Sequence, residues 1–415
     1  MMKARPDFFA LRRLFRIAVA VGMLIAAAKA GAAPANEAPA NEALNIDIAF
    51  VAHARPPSPP FVLDPPPPGE GFAGANLAIQ ENATTGGFIG QNFALTDIEL
   101  AEEDNPAEAV KPWLDKGVRL FVVALPADEA LALADAVRSV GGLVFNAQAP
   151  DDRLRGADCR PNLFHTAPSR AMLADGLMQY LAVRRWSKIL LVPGAGAGDA
   201  LFAEAVRASA KKFGVKIVAE KPWTFGPLAR ARSDAVTESD ALTFSRGIDA
   251  DMIVVADEAE DFGDYILYRT SEPRLVAGTQ GLTPTSWHPT HTAWGAEQLQ
   301  NRFIRASNRR MRPIDYQAWA ATRAIGEAAT ATRAADPQKI AAFLQSPSFN
   351  LAIFKGAPAS FRPWDRQLRQ AILLAQPKSL IGMAPQPGFL HQRSTLDSLG
   401  VDESESACKS KQVTR

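Results

Sequence analysis

An acidic run, Asp257-Glu258-Ala259-Glu260-Asp261, follows the apolar stretch Met252 to Ala256. Clustered carboxylate oxygens suit Ca²⁺ or, by the same logic, a trivalent lanthanide. Acidic residues also gather at a helix start because the helix dipole favours them there. Both readings stand, and Glu102-Glu103-Asp104 is open to the same pair. His288-Pro289-Thr290-His291 has metal-like spacing, but the proline keeps the imidazoles off one helical face and no third histidine or cysteine stands near. Pro193-Gly194-Ala195-Gly196-Ala197-Gly198 lacks both the G-x-G-x-x-G spacing and a following Lys-Ser/Thr, which argues against a phosphate cradle. There is no G-x-S-x-G and no Ser/His/Asp order to pair a nucleophile with a base. The chain is therefore not expected to be an enzyme, and no cofactor is expected.

The elements that must hold these residues alternate regularly. Apolar strands are expected at 46–51, 92–100, 118–124, 143–146, 189–192, 215–220, 252–256 and 274–277. Helices are expected between them at 71–83, 106–116, 127–140, 169–185, 200–213 and 240–246. Continuous apolar strands alternating with helices mean parallel sheets covered on both faces. The strands divide into two runs around residue 165, each the size of one doubly wound unit. Helices follow at 292–310, 316–333 and 337–344, then strands at 351–354 and 370–374. The expected fold class is α/β, with two doubly wound parallel-sheet lobes joined by crossovers. Lobe 1 is expected to comprise 44–164 plus 291–330, lobe 2 165–290 plus 331–385, and 386–415 to form a C-terminal tail. Residues 54–68 hold eight prolines, which exclude a helix or a central strand there. A lid, a partner-binding strip and a plain surface loop all fit.

The N-terminus reads as an address. Arg12-Arg13-Leu14-Phe15-Arg16 precedes twelve apolar or small residues and then Ala28-Lys29-Ala30, the pattern of a signal peptide over residues 1–30. Residues 31–43, with APANE twice, read as a flexible leader. The whole chain of 415 residues carries 45 basic and 44 acidic side chains. The first thirty hold six basic residues against Asp7, so the rest is mildly acidic. A nucleic-acid partner needs a basic face and is not expected. Export implies an oxidising compartment, where the only two cysteines, Cys159 and Cys408, are expected to pair.

Gly71-Phe72-Ala73-Gly74-Ala75-Asn76-Leu77-Ala78-Ile79-Gln80-Glu81-Asn82, followed by Gly86-Gly87-Phe88-Ile89-Gly90, resembles the first helix of type I periplasmic binding proteins. These include the leucine/isoleucine/valine-binding receptors of ABC transporters. Phe164-His165-Thr166-Ala167-Pro168-Ser169-Arg170 stands where that family crosses to its second lobe. Arg312-Pro313-Ile314-Asp315-Tyr316-Gln317-Ala318-Trp319-Ala320-Ala321 resembles the start of its long return helix. Within the family, Phe145 to Arg155, His165 to Arg170 and the Pro-rich first loop are similar to a branch associated with pyrroloquinoline-quinone-dependent alcohol dehydrogenase systems. Related clusters are linked to lanthanide use.

The resemblance implies a monomeric periplasmic substrate-binding protein that works with ABC permease and ATPase subunits. The alternative is a periplasmic scaffold or accessory protein for such a dehydrogenase, or a lanthanide-handling protein, without a transport role. Ligand would bind where loops at the strand ends of both lobes face each other. Those loops supply His53, Gln148, Asp151, Asp257, Glu258 and Gln280, with Trp287 near the return crossover. The loops after the third and fourth strands, Leu125 to Asp128 and Asn146 to Asp152, carry none of the hydroxyls that amino-acid receptors use for a carboxylate. With acidic groups facing inward, the expected ligand is a cation or a metal complex, a neutral alcohol being the weaker option.

Overall fold

The structure, a computed structural model, describes residues 43–55, 65–224, 244–389 and 391–408. The expected signal peptide and almost all of the leader lie outside the described residues. So do most of the Pro-rich stretch and residues 240–243 of the expected helix 240–246.

The first half starts with β1 (Leu44–His53), α1 (Phe72–Gly86) and β2 (Gln91–Leu100). Two short helices follow, α2 (Pro106–Ala109) and α3 (Lys111–Asp115). One helix was expected here. Pro112 has no N–H to return to the carbonyl of Glu108, so the helix breaks. Next come β3 (Leu120–Ala124), α4 (Ala127–Arg138), β4 (Leu143–Asn146) and β5 (Leu163–His165). The five strands form one parallel sheet in the order β2-β1-β3-β4-β5. The second half contains α5 (Arg170–Val183), β6 (Lys188–Pro193), α6 (Ala197–Phe213), β7 (Lys216–Glu220), β8 (Met252–Ala256), α7 (Gly263–Ile266) and β9 (Leu275–Gly278). Its parallel sheet runs β7-β6-β8-β9. Every residue of β3, β4 and β8 is buried, as strands covered on both faces require. Separate apolar clusters lie on the two faces of each sheet. The α/β class with doubly wound parallel sheets is thus observed.

The remainder is β10 (Thr283–Thr285), α8 (Ala296–Ser307), α9 (Pro313–Thr332), α10 (Pro337–Leu344), β11 (Ile372–Gln376) and β12 (Ser379–Ala384). The first of these helices was expected from residue 292. It begins at Ala296 because Trp294 and Gly295 take positive φ, 52° and 82°. The strand expected at 351–354 reduces to one bridge, Leu351 to Ala359, since Phe354 turns to φ 58°. Strands β10, β11 and β12 form a small antiparallel sheet, of which the strand expected at 370–374 is β11 and the other two were not expected. Residues 331–385 were expected with the second half, but their packing divides. Ile340, Leu344, Phe349, Phe361 and Leu368 join the first sheet's core, whereas Leu374 of β11 joins the second's.

Helices α1 and α9 carry two of the segments that resemble a known family, and they pack backbone to backbone. A Cβ on Gly74 would fall 1.9 Å from the Asp315 carbonyl oxygen. The Asp315 carboxylate accepts Gly71 N–H at 2.8 Å, and Asn82 donates to the Thr322 carbonyl at 3.0 Å. Small residues on both helices, among them Ala75, Ala78, Ala318 and Ala321, make the contact.

The chain passes between the halves at residues 166–169, 286–295 and 369–371, and Cys159 is bonded to Cys408.

Candidate functional site

In open parallel sheets the loops beyond the carboxyl ends of the strands receive ligands. Here β1, β4, β6, β8 and β9 deliver those loops. The loop after β4 is shaped by Asn146, which is fully buried. Its carboxamide oxygen accepts Gln148 N–H at 3.1 Å and Ala149 N–H at 2.8 Å, and its NH₂ donates to the Ala149 carbonyl at 2.8 Å. This local bonding turns the chain without a glycine and presents Gln148 and Asp151. Ser169 then caps α5 by accepting Met172 N–H, so Arg170 occupies the first helical position.

Arg170 organises the site. Its Nε and Nη2 donate to the two oxygens of Glu258 at 2.8 and 2.7 Å. Its Nη1 lies 3.1 Å from Asp151 Oδ2 as an ion pair that is not aligned as a hydrogen bond. Asp151 follows β4 of the first half and Glu258 follows β8 of the second, so one guanidinium ties the two loops together. The Arg170 side chain is 7% exposed. Burial pulls its pKa down, but pairing with Glu258 and Asp151 outweighs this and holds it above the ordinary value.

The other acidic candidates have internal work. Asp257 is fully buried; its carboxylate accepts N–H groups of Asp261, Phe262 and Gly263 at 2.9, 2.9 and 2.7 Å. It shapes the turn into α7 and has no oxygen to spare for a solute. Gln280, also buried, donates to the Asp257 carbonyl at 2.9 Å and accepts the Thr279 hydroxyl at 2.5 Å. The glycine-rich turn after β6 is likewise structural. Asp199 accepts Gly196 N–H at 2.9 Å and Glu258 N–H at 2.6 Å. A Cβ on Gly194 would meet Asp199 at 2.3 Å, and one on Gly198 would meet Glu258 at 2.5 Å. These glycines make room for carboxylates, the opposite of a phosphate cradle.

His53 ends β1, where Nδ1 is 2.9 Å from the Ala101 carbonyl and Nε2 2.5 Å from Glu129. Burial lowers its pKa, but the bonds to Glu129 and Ala101 and the charges of Glu129 and Asp104 prevail, so the net shift is upward. Trp287 is 1% exposed, stacks on Tyr316 with centroids 4.7 Å apart and donates to Gln300 at 3.2 Å. It is a core residue of the first half beside the second crossover. His288 bonds Thr290 at 2.7 Å and His291 bonds the Phe354 carbonyl at 2.9 Å, so the pair does not converge. Among the described residues no group of three or more His, Cys, Asp or Glu side chains is placed to hold a metal.

The structure thus brings Gln148, Asp151 and Glu258 to the facing loops, leaves His53 paired at the rim and commits Asp257, Gln280 and Trp287 to packing. The charge left for a cationic ligand is smaller than expected, because the cation is Arg170. Sequence reasoning passed over this residue, yet a signal was present. A cation in the first turn opposes the helix dipole, so something acidic must hold it. Arg155 was also missed. Its guanidinium donates to the carbonyls of Ala149, Asp151 and Ala167 and to Gln367 at 2.7–3.0 Å, and full burial brings its pKa down to about 10.

A family model for periplasmic binding proteins matches residues 68–379. No curated protein sequence matches the chain. The fold is similar to a branched-chain amino acid ABC transporter periplasmic ligand-binding protein from Burkholderia xenovorans, with TM-score 0.70 and 16% identity over 88% of this chain and 99% of that one. It is also similar to the closed leucine-, isoleucine-, valine-, threonine- and alanine-binding protein of Brucella ovis, with TM-score 0.63 and 14% identity over 80% and 89%. A third similar structure is a branched-chain amino acid transporter substrate-binding protein from Streptococcus pneumoniae with isoleucine, with TM-score 0.58 and 14% identity over 82% and 98%. No helix among the described residues is long and apolar enough to cross a membrane.

Proposed function

The chain belongs to the periplasmic binding protein family, and from that premise we propose that it captures a small solute between its two halves and presents it to an ABC permease and ATPase in the periplasm. The observation that carries this reading is the Asp151–Arg170–Glu258 bridge, which puts the strand-end loops of both halves within one side chain of each other. Binding rather than catalysis fits a site whose charged groups hold one another.

The solute class follows from the same bridge. Amino-acid and metal-complex ligands both need charge that the site has already matched internally. Gln148, half-buried on the facing loop, remains to donate and accept. An uncharged polar solute, such as a small alcohol, fits these groups. The link to a pyrroloquinoline-quinone-dependent alcohol dehydrogenase system is supported by the sequence of 145–155 and 165–170 and by the Pro-rich first loop. A second reading, a periplasmic accessory protein of such a dehydrogenase without transport, draws on that same loop.

A thermal-shift panel of alcohols, branched-chain amino acids, carboxylates and Tb³⁺ tests this. A ligand at a hundred times its Kd adds about 2.7 kcal/mol to the folded state. A shift with an alcohol supports the reading. A shift with leucine or Tb³⁺ alone overturns the solute class while leaving the binding role. Capture of a dehydrogenase with no shift from any small molecule favours the accessory reading.

A further inference from the structure

Residues 391–408 do not end freely. They cross from the second half to the first. Leu399 packs on Met172 of α5, Ile372 of β11 and Ala384 of β12. Gly400 N–H donates to Asp175 of α5 at 2.8 Å. Lys212 of α6 donates to the same carboxylate at 2.7 Å and to the carbonyls of Ser398 and Gly400 at 3.2 and 2.9 Å. Residues 398–400 are thereby fastened to the second half.

The same stretch, residues 396–399, is also fastened beside the third crossover. Asp397, fully buried, accepts from Arg362 at 2.9 Å and from Arg369 at 2.8 Å. Arg362, 1% exposed, also donates to the carbonyls of Leu396 and Leu399 at 3.3 and 2.6 Å. Its neighbour Phe361 belongs to the core of the first half. Val401, Glu405 and Ala407 then roof a cavity of about 140 Å³ whose floor includes Arg155, Ser169, Asp365 and Gln367, residues in or near the first and third crossovers. Finally Cys408 is bonded to Cys159, on the loop between β4 and β5, 249 residues earlier. That loop is anchored in the first half by Arg160, which pairs with Asp135 of α4 at 2.7 Å.

We propose that residues 391–408 are a covalent strap over the hinge that limits how far the two halves swing apart. The tail meets each half through separate contacts, so any movement that separates α5 and α6 from the β4–β5 loop must stretch it. Noncovalent ends alone would yield one hydrogen bond at a time, whereas the disulfide fixes the far end. Both cysteines are only part-buried, so the bond lies near the surface and its reduction in the folded protein is followed by thiol counting. The inference rests on the two-half architecture and not on what the cleft binds.

Small-angle scattering on the ligand-free exported chain tests it. The folded protein is measured oxidised, and again after reduction and alkylation, with Cys159→Ser/Cys408→Ser as a second route. Asp175→Asn, which loosens the other end while keeping the bond, is the third sample. The expected result is a larger radius of gyration and a broader distance distribution for each of the three against the oxidised wild type. Circular dichroism confirms that each sample is folded. Unchanged scattering from folded, reduced protein overturns the strap, even if its melting temperature falls, because the tail would then be only a brace. Since no ligand enters the measurement, failure of the proposed solute class leaves this result intact.

Discussion

Replacing Arg170 by methionine keeps the aliphatic length and removes the guanidinium. Two carboxylates then face each other without a counter-ion, Asp151 with a 17% exposed side chain and Glu258 with 28%. Removing one partner from a fully buried pair costs about 3–5 kcal/mol. Here water reaches part of each carboxylate, so the expected cost is about 2–3 kcal/mol. The control is Arg170→Met with Asp151→Asn and Glu258→Gln. No unpaired charge is left, and stability should return to within about 1 kcal/mol of wild type. Urea unfolding followed by tryptophan fluorescence, with the disulfide intact, measures both, and constant m-values show that only stability changed. A cost below about 0.5 kcal/mol for the single variant is that of an ordinary surface change. That outcome, or a triple variant no more stable than the single one, would refute the view that Arg170 is the site's own counter-ion.

Three further outcomes follow from the geometry. Gly74→Ala should cost about 3 kcal/mol in the same assay, because its Cβ would meet the Asp315 backbone of α9 at 1.9 Å and neither helix can yield without losing the other. The folded pKa of His53 is raised, so its bond to Glu129 stabilises the protein below about pH 6.5 and that contribution disappears as pH rises through the folded value; the urea midpoint of wild type relative to Glu129→Gln should therefore be higher at pH 5.5 than at pH 8. Lys355 is fully buried, donates to Gln370 and the Ala371 carbonyl at 2.8 and 3.1 Å, and burial drives its pKa well down. Below its ordinary pKa the unfolded chain takes up a proton that the folded chain refuses, so stability falls with decreasing pH, and Lys355→Met should flatten that slope in denaturation at pH 9–10.5.

The alternation of buried strands and helices was legible because each strand is covered on both faces and reads as an unbroken apolar run, as in Leu120–Ala124 and Met252–Ala256. The strand-end rule also named two loops, those of Asp151 and Glu258, that the structure brings together at Arg170. It could not say which way a side chain points. Asp257 and Glu258 are neighbours, yet one turns into its own loop and the other toward Arg170. That choice depends on Asp199, nearly sixty residues earlier, which accepts Glu258 N–H, and on glycines that leave space beside it. Trp287 was misread for a related reason. Its position near a crossover was clear, but the Tyr316 ring that buries it arrives from a helix further along the chain. Of the antiparallel strands, β11 was expected at 370–374, but its pairing was hidden because β10 is three residues long and lies some ninety residues earlier.

The hinge shows how such distant residues act together. The first and third crossovers lie side by side, bridged from His165 to Gln367. Gln367 donates to the carbonyls of His165 and Ala167 at 3.3 and 3.1 Å, and Gln370 to that of Thr166 at 2.7 Å. Arg155 adds the loop after β4 to the same strip. Several of these carbonyls accept twice, that of His165 also from Leu368 N–H at 2.8 Å and that of Ala167 also from Arg155 at 2.7 Å, so the strip is cross-linked rather than singly tied. The two crossovers are therefore held as one ribbon. The second crossover is tied to the first through Gln317, which donates to Ser286 at 2.7 Å and accepts the Thr166 hydroxyl on its carbonyl at 2.8 Å, and it carries two consecutive residues at positive φ, Trp294 and Gly295. Arg170 begins its helix where the ribbon ends and reaches Asp151 on one side and Glu258 on the other. A solute that enters between those loops competes with or adds to this bridge. Arg170 touches the strand-end loops of both halves, so on the proposed reading solute contact and crossover geometry meet at this guanidinium rather than at the acidic run alone.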